Sequence, residues 1–177
     1  MSSKIKDFEI IESSKVKGVK IIIPSVHNDE RGTLFTTFYK EVYDALIPNE
    51  LEFKHDKFAL TFNRVLRGIH GDNKSWKLVT AVYGEIVQVV VDNRLESPTY
   101  QKWESFKING SQPKLILLPP GVGNAFYVSS NEALYHYKLA YSGEYFDAED
   151  QFTLKWNDPE IGIEWPDEHP ILSNRDK

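Results

Sequence analysis

The stretch from Trp76 to Arg94, "WKLVTAVYGEIVQVVVDNR", restricts the fold more than any other part of the sequence. Two valine-rich runs flank a Gly-Glu pair, and both are too short and too β-branched to read as helices. They form a hairpin candidate with its turn at Tyr83-Gly84. "FALTFN" from Phe58 precedes them as another strand. Upstream, "VKIIIPSV" (Val19 to Val26) and "TLFTTFY" (Thr33 to Tyr39) read as strands joined through the turn "DERG" (Asp29 to Gly32). One short helix is predicted over "KEVYDALIP" (Lys40 to Pro48), where Val42, Ala45 and Leu46 share a face and Pro48 ends the run. Many short strands broken by Gly and Pro turns, "SPTY" and "LLPPGVGNAF" among them, predict an all-β sandwich or barrel with helix confined to its margins.

The 177 residues, 41% of them hydrophobic, suffice for one core, and no linker or repeat divides them, so residues 1–177 read as a single domain. The C-terminal part, "LKWNDPEIGIEWPDEHPILSNRDK", is Pro-rich and charged, and its two tryptophans must dock on the body if it is ordered. A net charge of −5 without a long basic run argues against a nucleic-acid or anionic-membrane surface, while leaving room for a local basic pocket that takes a phosphorylated small molecule. Cysteine is absent, which excludes disulfides, thiolate metal sites and a cysteine nucleophile. The opening "MSSKIKDFEI" lacks the apolar core of a signal peptide, and no window approaches the roughly 18 apolar residues of a membrane span. The expectation is a soluble, cytoplasmic protein.

The chemistry-bearing residues gather in "RVLRGIHGDNKSWKLV", Arg64 to Val79. His70 sits between Arg67 and Lys74, and nearby cations favour the neutral imidazole that a general base needs, although a strand-end histidine can equally be structural. Lys77 opens an apolar strand whose face it shares with Val79 and Ala81, so its ammonium either enters a pocket or ends in solvent. The five histidines (27, 55, 70, 136 and 169) show no tight ligand spacing, so no metal site is expected. In "PPGVGNAF" (Pro119 to Phe126) two prolines and two glycines fix an unusual turn, with Asn124 as turn residue or pocket donor. "YHYKLAY" (Tyr135 to Tyr141) puts Tyr135 and Tyr137 on one face and His136 and Lys138 on the other.

Taken together, "DERG", "VLRGIH", "KLVTAVYGEI", "VDNRLESPTYQKW", "LPPGVGNAF", "WNDPEIGIEWP" and "LSNRD" resemble, in order and spacing, the dTDP-4-dehydrorhamnose 3,5-epimerases of the cupin superfamily, over about Asp29 to Asp176. The resemblance implies a cupin-type jelly-roll β-barrel with a few short peripheral helices. It also implies a homodimer that swaps N-terminal strands, no cofactor or metal, and proton abstraction beside the C4 ketone of a nucleotide-diphosphate sugar. By the same resemblance His70 is the base, Asp176 its orienting carboxylate, Tyr137 the opposing acid and Lys77 the cation at the enolate oxygen. Arg31 and Arg67 resemble residues that hold the diphosphate or lie near the sugar. His55, Lys57, Asn124, Gln88, Tyr141 and Arg175 complete the candidate substrate-binding set.

The departures from the family pattern are specific. Asn124 stands where the family has a histidine, and Gln88 where it has an aspartate, so an ionisable pair is replaced by a neutral amide pair. "HDKFA" replaces a stretch close to "QDNHS", altering His55, Lys57 and Ala59, and Thr36 replaces a glutamate. These changes favour a GDP-linked 4-keto hexose or heptose in surface-polysaccharide synthesis, with a dTDP-linked 4-keto-6-deoxy sugar, a 3,4-ketoisomerase and a non-catalytic sugar-nucleotide-binding cupin as alternatives. The change at Asn124 further predicts epimerisation at a single carbon.

Overall fold

A computed structural model describes residues 8–177, so residues 1–7 of the opening segment read above for a leader lie outside the described residues. Two antiparallel sheets face each other. One has six strands in the order β1 (Phe8–Glu12), β2 (Lys20–Pro24), β10 (Leu115–Leu118), β7 (Trp76–Tyr83), β12 (Glu132–Ala140) and β5 (Phe53–Phe62). The other has five, in the order β13 (Phe152–Thr153), β6 (Leu66–Gly71), β11 (Val122–Val128), β8 (Glu85–Asp92) and β9 (Trp103–Asn109). A separate two-stranded ribbon joins β3 (Val26–Asp29) to β4 (Gly32–Phe35) around Glu30 and Arg31. This is a cupin-type jelly roll.

Trp76–Arg94 does not form the expected hairpin. β7 pairs with β10 and β12, whereas β8 pairs with β11 and β9, so the chain turns a corner from one sheet into the other at Gly84. The physical reason lies in the burial of β8, where every residue from Ile86 to Asp92 is buried. Ile86 and Val90 face the space between the sheets. Val87, Val89 and Val91 face outward beneath Trp156, Ile163 and Trp165 of the C-terminal segment. A strand covered on both faces reads as a continuous apolar run, and hairpin pairing would leave one of those faces wet. At roughly 1.5–3 kcal/mol per buried aliphatic side chain, covering both faces outweighs local pairing. Gly84 turns the corner at φ +79°, with the position a Cβ would occupy 2.2 Å from the Glu132 carbonyl oxygen.

The opposite flank has its own cover. Tyr43 and Ile47, from the segment around helix α1 (Lys40–Asp44), pack with Ile22, Leu78, Leu115 and Leu117 on the outer side of the six-stranded sheet. The helix is shorter than the sequence predicts, ending before Ala45; Tyr43 is its fully buried residue, Val42 and Leu46 pack partly buried beside it, and Ala45 is exposed. The strand expected over Thr33 to Tyr39 likewise ends at Phe35. No helix among the described residues is long and apolar enough to cross a membrane.

Candidate active site

Between the two sheets lies a cavity of about 280 Å³ whose lining includes Arg67, His70, Lys77, Asn124, Tyr137 and Asp176. His70 and Arg67 come from β6, although they are three residues apart and an even strand would point them to opposite faces. The β6–β11 register pairs Asn124 with His70 but Phe126 with Arg67, and this bulge turns both side chains inward. Gly68 permits it at φ +115°, because a Cβ there would sit 2.5 Å from the Asn124 carbonyl oxygen.

His70 Nε2 lies 2.6 Å from Asp176 Oδ1, and the Ser173 hydroxyl donates to Asp176 Oδ2 at 2.8 Å. An ionised carboxylate only accepts, so Nε2 carries the proton and Nδ1 keeps its lone pair. Burial pushes the Asp176 carboxyl up, but the hydrogen bonds from His70 and Ser173 prevail and hold it below the ordinary carboxylate range. The Asp176 side chain is almost fully buried, which makes the C-terminal "LSNRD" a wall of the cavity.

From the facing sheet come Lys77 on β7 and Tyr137 on β12. Burial lowers the Lys77 ammonium, and the Asp72 carboxylate 3.0 Å away opposes that shift without cancelling it. Asp72 is itself held by the Ser75 amide (2.6 Å), the Ser75 hydroxyl (2.7 Å) and the Tyr145 hydroxyl (3.2 Å). Burial raises the Tyr137 hydroxyl, and Lys57, whose Nζ stands 5.8 Å from the tyrosine ring, partly offsets it. Tyr137 is therefore protonated at neutral pH and suited to donate. Lys57 is in turn ion-paired with Asp147 of the short 3-10 turn Asp147–Asp150 at the cavity rim.

The structure sorts the remaining candidates. Arg175 lines the cavity, braced by Thr153 and Gln151 at 3.0 and 3.2 Å. His55 on β5 and Tyr141, just past the end of β12, lie together with ring centroids 6.3 Å apart, and neither they nor Lys57 is among the residues that line the cavity. Gln88 is fully buried behind Asn124, donating to its Oδ1 at 2.7 Å, so the neutral amide pair expected from the sequence is formed. Arg31 is not brought to the cavity: it sits on the β3–β4 turn, paired with Asp29 and exposed. Tyr135 and Tyr137 do share the inward face, while His136 and Lys138 meet Asp56 on the other. Sequence reading missed Asp72, Ser173 and Asp147. "DNKS" (Asp72 to Ser75) carries a visible Asx-turn pattern that could have flagged Asp72, whereas nothing local marks Asp147. Among the described residues no three His, Asp or Glu side chains cluster in a way that could hold a metal ion.

The jelly roll and the cavity between its sheets place this chain in the class of enzymes that epimerise nucleotide-linked sugars. Residues 13–177 match the family model for dTDP-4-dehydrorhamnose 3,5-epimerase, and the chain belongs to that family. It is 33% identical over 171 residues to the dTDP-4-dehydrorhamnose 3,5-epimerase of Salmonella typhimurium, covering 94% of this chain and 92% of that protein. The crystal structure of dTDP-6-deoxy-D-glucose-3,5-epimerase from Legionella pneumophila, in complex with dTDP-4-keto-L-rhamnose, superposes with a TM-score of 0.86 at 33% identity, covering 96% of this chain and 90% of that one. ChmJ, a 3'-monoepimerase from Streptomyces bikiniensis solved with dTDP-quinovose, gives a TM-score of 0.82 at 29% identity over 94% of this chain and 84% of that one.

Proposed function

We propose that the protein epimerises a dTDP-linked 4-keto-6-deoxyhexose at C3, C5 or both. The observation that carries this reading is the disposition of acid and base: His70 projects from one sheet and Tyr137 and Lys77 from the other, across a single cavity. His70 Nδ1 takes the proton from the carbon beside the ketone, and the electron pair moves onto the ketone oxygen as an enolate. The Lys77 ammonium, itself buried, faces that developing charge, and a fixed charge held away from water is the most effective kind. Tyr137 returns a proton to the opposite face of the same carbon. His70 then loses its proton, and Tyr137 regains one, by exchange with solvent. Asp176 holds the imidazole tautomer throughout and steadies the imidazolium.

The altered residues Thr36, His55, Lys57 and Ala59 favour a GDP-linked sugar on sequence grounds alone. The relatives described above are named for dTDP sugars, so the dTDP reading takes precedence. A homodimer fits the same picture. β5 is an edge strand that presents Phe58, Leu60 and Phe62 outward at 61%, 52% and 63% exposure, an apolar strip that a second copy can cover. Exchange of the β3–β4 ribbon would carry Arg31 toward the neighbouring cavity.

The test is turnover of dTDP- and GDP-linked 4-keto sugars in deuterated water, read by mass. Deuterium is expected in the dTDP sugar with the wild type and to be lost with His70→Asn. Label entering at the wild-type rate with His70→Asn removes the base assignment, and label entering only the GDP sugar removes the nucleotide assignment.

A further inference from the structure

Behind the cavity wall a closed network of uncharged groups fixes one side chain in one orientation. The Val89 carbonyl can only accept a hydrogen bond, so the Gln88 atom 3.0 Å from it is the amide nitrogen, Nε2. The second hydrogen of that nitrogen points at the Asn124 side chain at 2.7 Å, which requires an acceptor there and identifies it as Oδ1. The Tyr135 hydroxyl closes the ring, 2.9 Å from Gln88 Oε1 and 3.1 Å from Asn124 Oδ1. Tyr135 and Gln88 are both buried, and Tyr135 stacks on Phe126 with ring centroids 3.9 Å apart, so neither can rotate to offer another arrangement. Asn124 therefore spends its oxygen on the protein interior and leaves its amide Nδ2, with no protein partner among the described residues, for the cavity that it lines. Asn124 is also the direct cross-strand partner of His70, on the side of the cavity where the base stands.

Resting on the epimerase reading of the site, we infer that Asn124 is a specificity-determining residue, a locked, uncharged donor that binds a sugar oxygen next to His70 and so selects which carbon beside the ketone meets the base. Gln88 and Tyr135 are positioning residues that act through it. A hydrogen-bond donor on this wall recognises an acceptor, such as a ring, carbonyl or hydroxyl oxygen. An amide neither gives up nor takes a proton in the range where enzymes work, so Asn124 orients the sugar without competing with His70 or Tyr137 for proton transfer.

The experiment compares wild type, Asn124→Ala, Asn124→Asp and Gln88→Glu on dTDP-4-keto-6-deoxy-D-glucose in deuterated water, with label at C3 and C5 resolved by NMR and thermal melting recorded in parallel. Asn124→Ala removes the donor and is expected to raise KM about three- to tenfold, the range for one uncharged hydrogen bond, and to change the C3-to-C5 label ratio. Asn124→Asp presents an acceptor in place of the donor and is expected to raise KM further. Gln88→Glu leaves every cavity-lining side chain in place, but its carboxylate attracts the Asn124 amide nitrogen. It is expected to reproduce the altered label ratio of Asn124→Ala, which loss of fold stability alone cannot do. Wild-type KM and label ratio in a folded Asn124→Ala overturn the inference while leaving the epimerase reading intact. Absence of label at both carbons with the wild type overturns the epimerase reading and the inference with it.

Discussion

Asp176 is the residue on which the proposed chemistry is most exposed to disproof, because it reaches the reaction only through His70. Replacing its carboxylate by the amide in Asp176→Asn keeps the size of the side chain and removes the charge. The 2.6 Å contact to His70 is a charge-assisted hydrogen bond inside a buried wall. Such bonds contribute about 1.5–3 kcal/mol, and at about 1.36 kcal/mol per tenfold in rate the loss corresponds to roughly a 10- to 150-fold drop in kcat. The upper end applies when the amide nitrogen turns toward His70, since Nε2 must then accept and the proton moves to Nδ1, the nitrogen meant to act as base. Ser173 does not prevent that turn, because its hydroxyl can donate or accept. KM should stay within about twofold. The assay is the rate of deuterium entry at the carbon beside the ketone at saturating substrate, with unfolding followed against pH in the same buffers. Asp176 is depressed below its ordinary value in the folded state, so it stabilises the fold above the unfolded carboxyl pKa, and that contribution is lost as pH falls through the lower native value. Asp176→Asn should therefore flatten the acid limb of the wild-type stability curve. A folded variant with kcat within threefold of wild type would refute the orienting role.

Lys77→Met should lower kcat by roughly 10²–10³, the range for removing one group that stabilises an oxyanion. It should also lower the melting temperature, because it strands the buried Asp72 carboxylate. Adding Asp72→Asn should restore melting but not turnover, and recovery of turnover in the double variant would show that Lys77 is structural. Gly84→Ala places a Cβ 2.2 Å from the Glu132 carbonyl at a positive φ, and chemical denaturation should show it destabilised by about 1–3 kcal/mol or more. Leu60→Asp on the exposed strip of β5 should convert a dimer to a monomer in sedimentation. An unchanged sedimentation coefficient would move the interface elsewhere.

Much of this protein is legible from local pattern. Valine-rich runs between glycines and prolines can only be strands, so the all-β class and the inward pairing of Tyr135 with Tyr137 follow from period-two geometry. The family motifs likewise name His70, Lys77, Tyr137 and Asp176 from the sequence, and all four meet at one cavity. What local pattern misreads is anything decided by coverage from a distance. Trp76–Arg94 looks like a hairpin because only the closing of Trp156 and Trp165 over Val87, Val89 and Val91 makes separation into two sheets favourable. His70 and Arg67 share a cavity only because a bulge, relieved by Gly68, breaks the strand period. Asp176 and His70 are 106 residues apart, and Gln88 fixes Asn124 across 36. Which residue types are present and which strands carry them can be read along the chain, since strand formation depends largely on neighbours in sequence. Which side chains touch, and which atom of Asn124 faces the cavity, follows from folding alone, because hydrogen-bond direction inside a packed wall depends on partners that are distant along the chain.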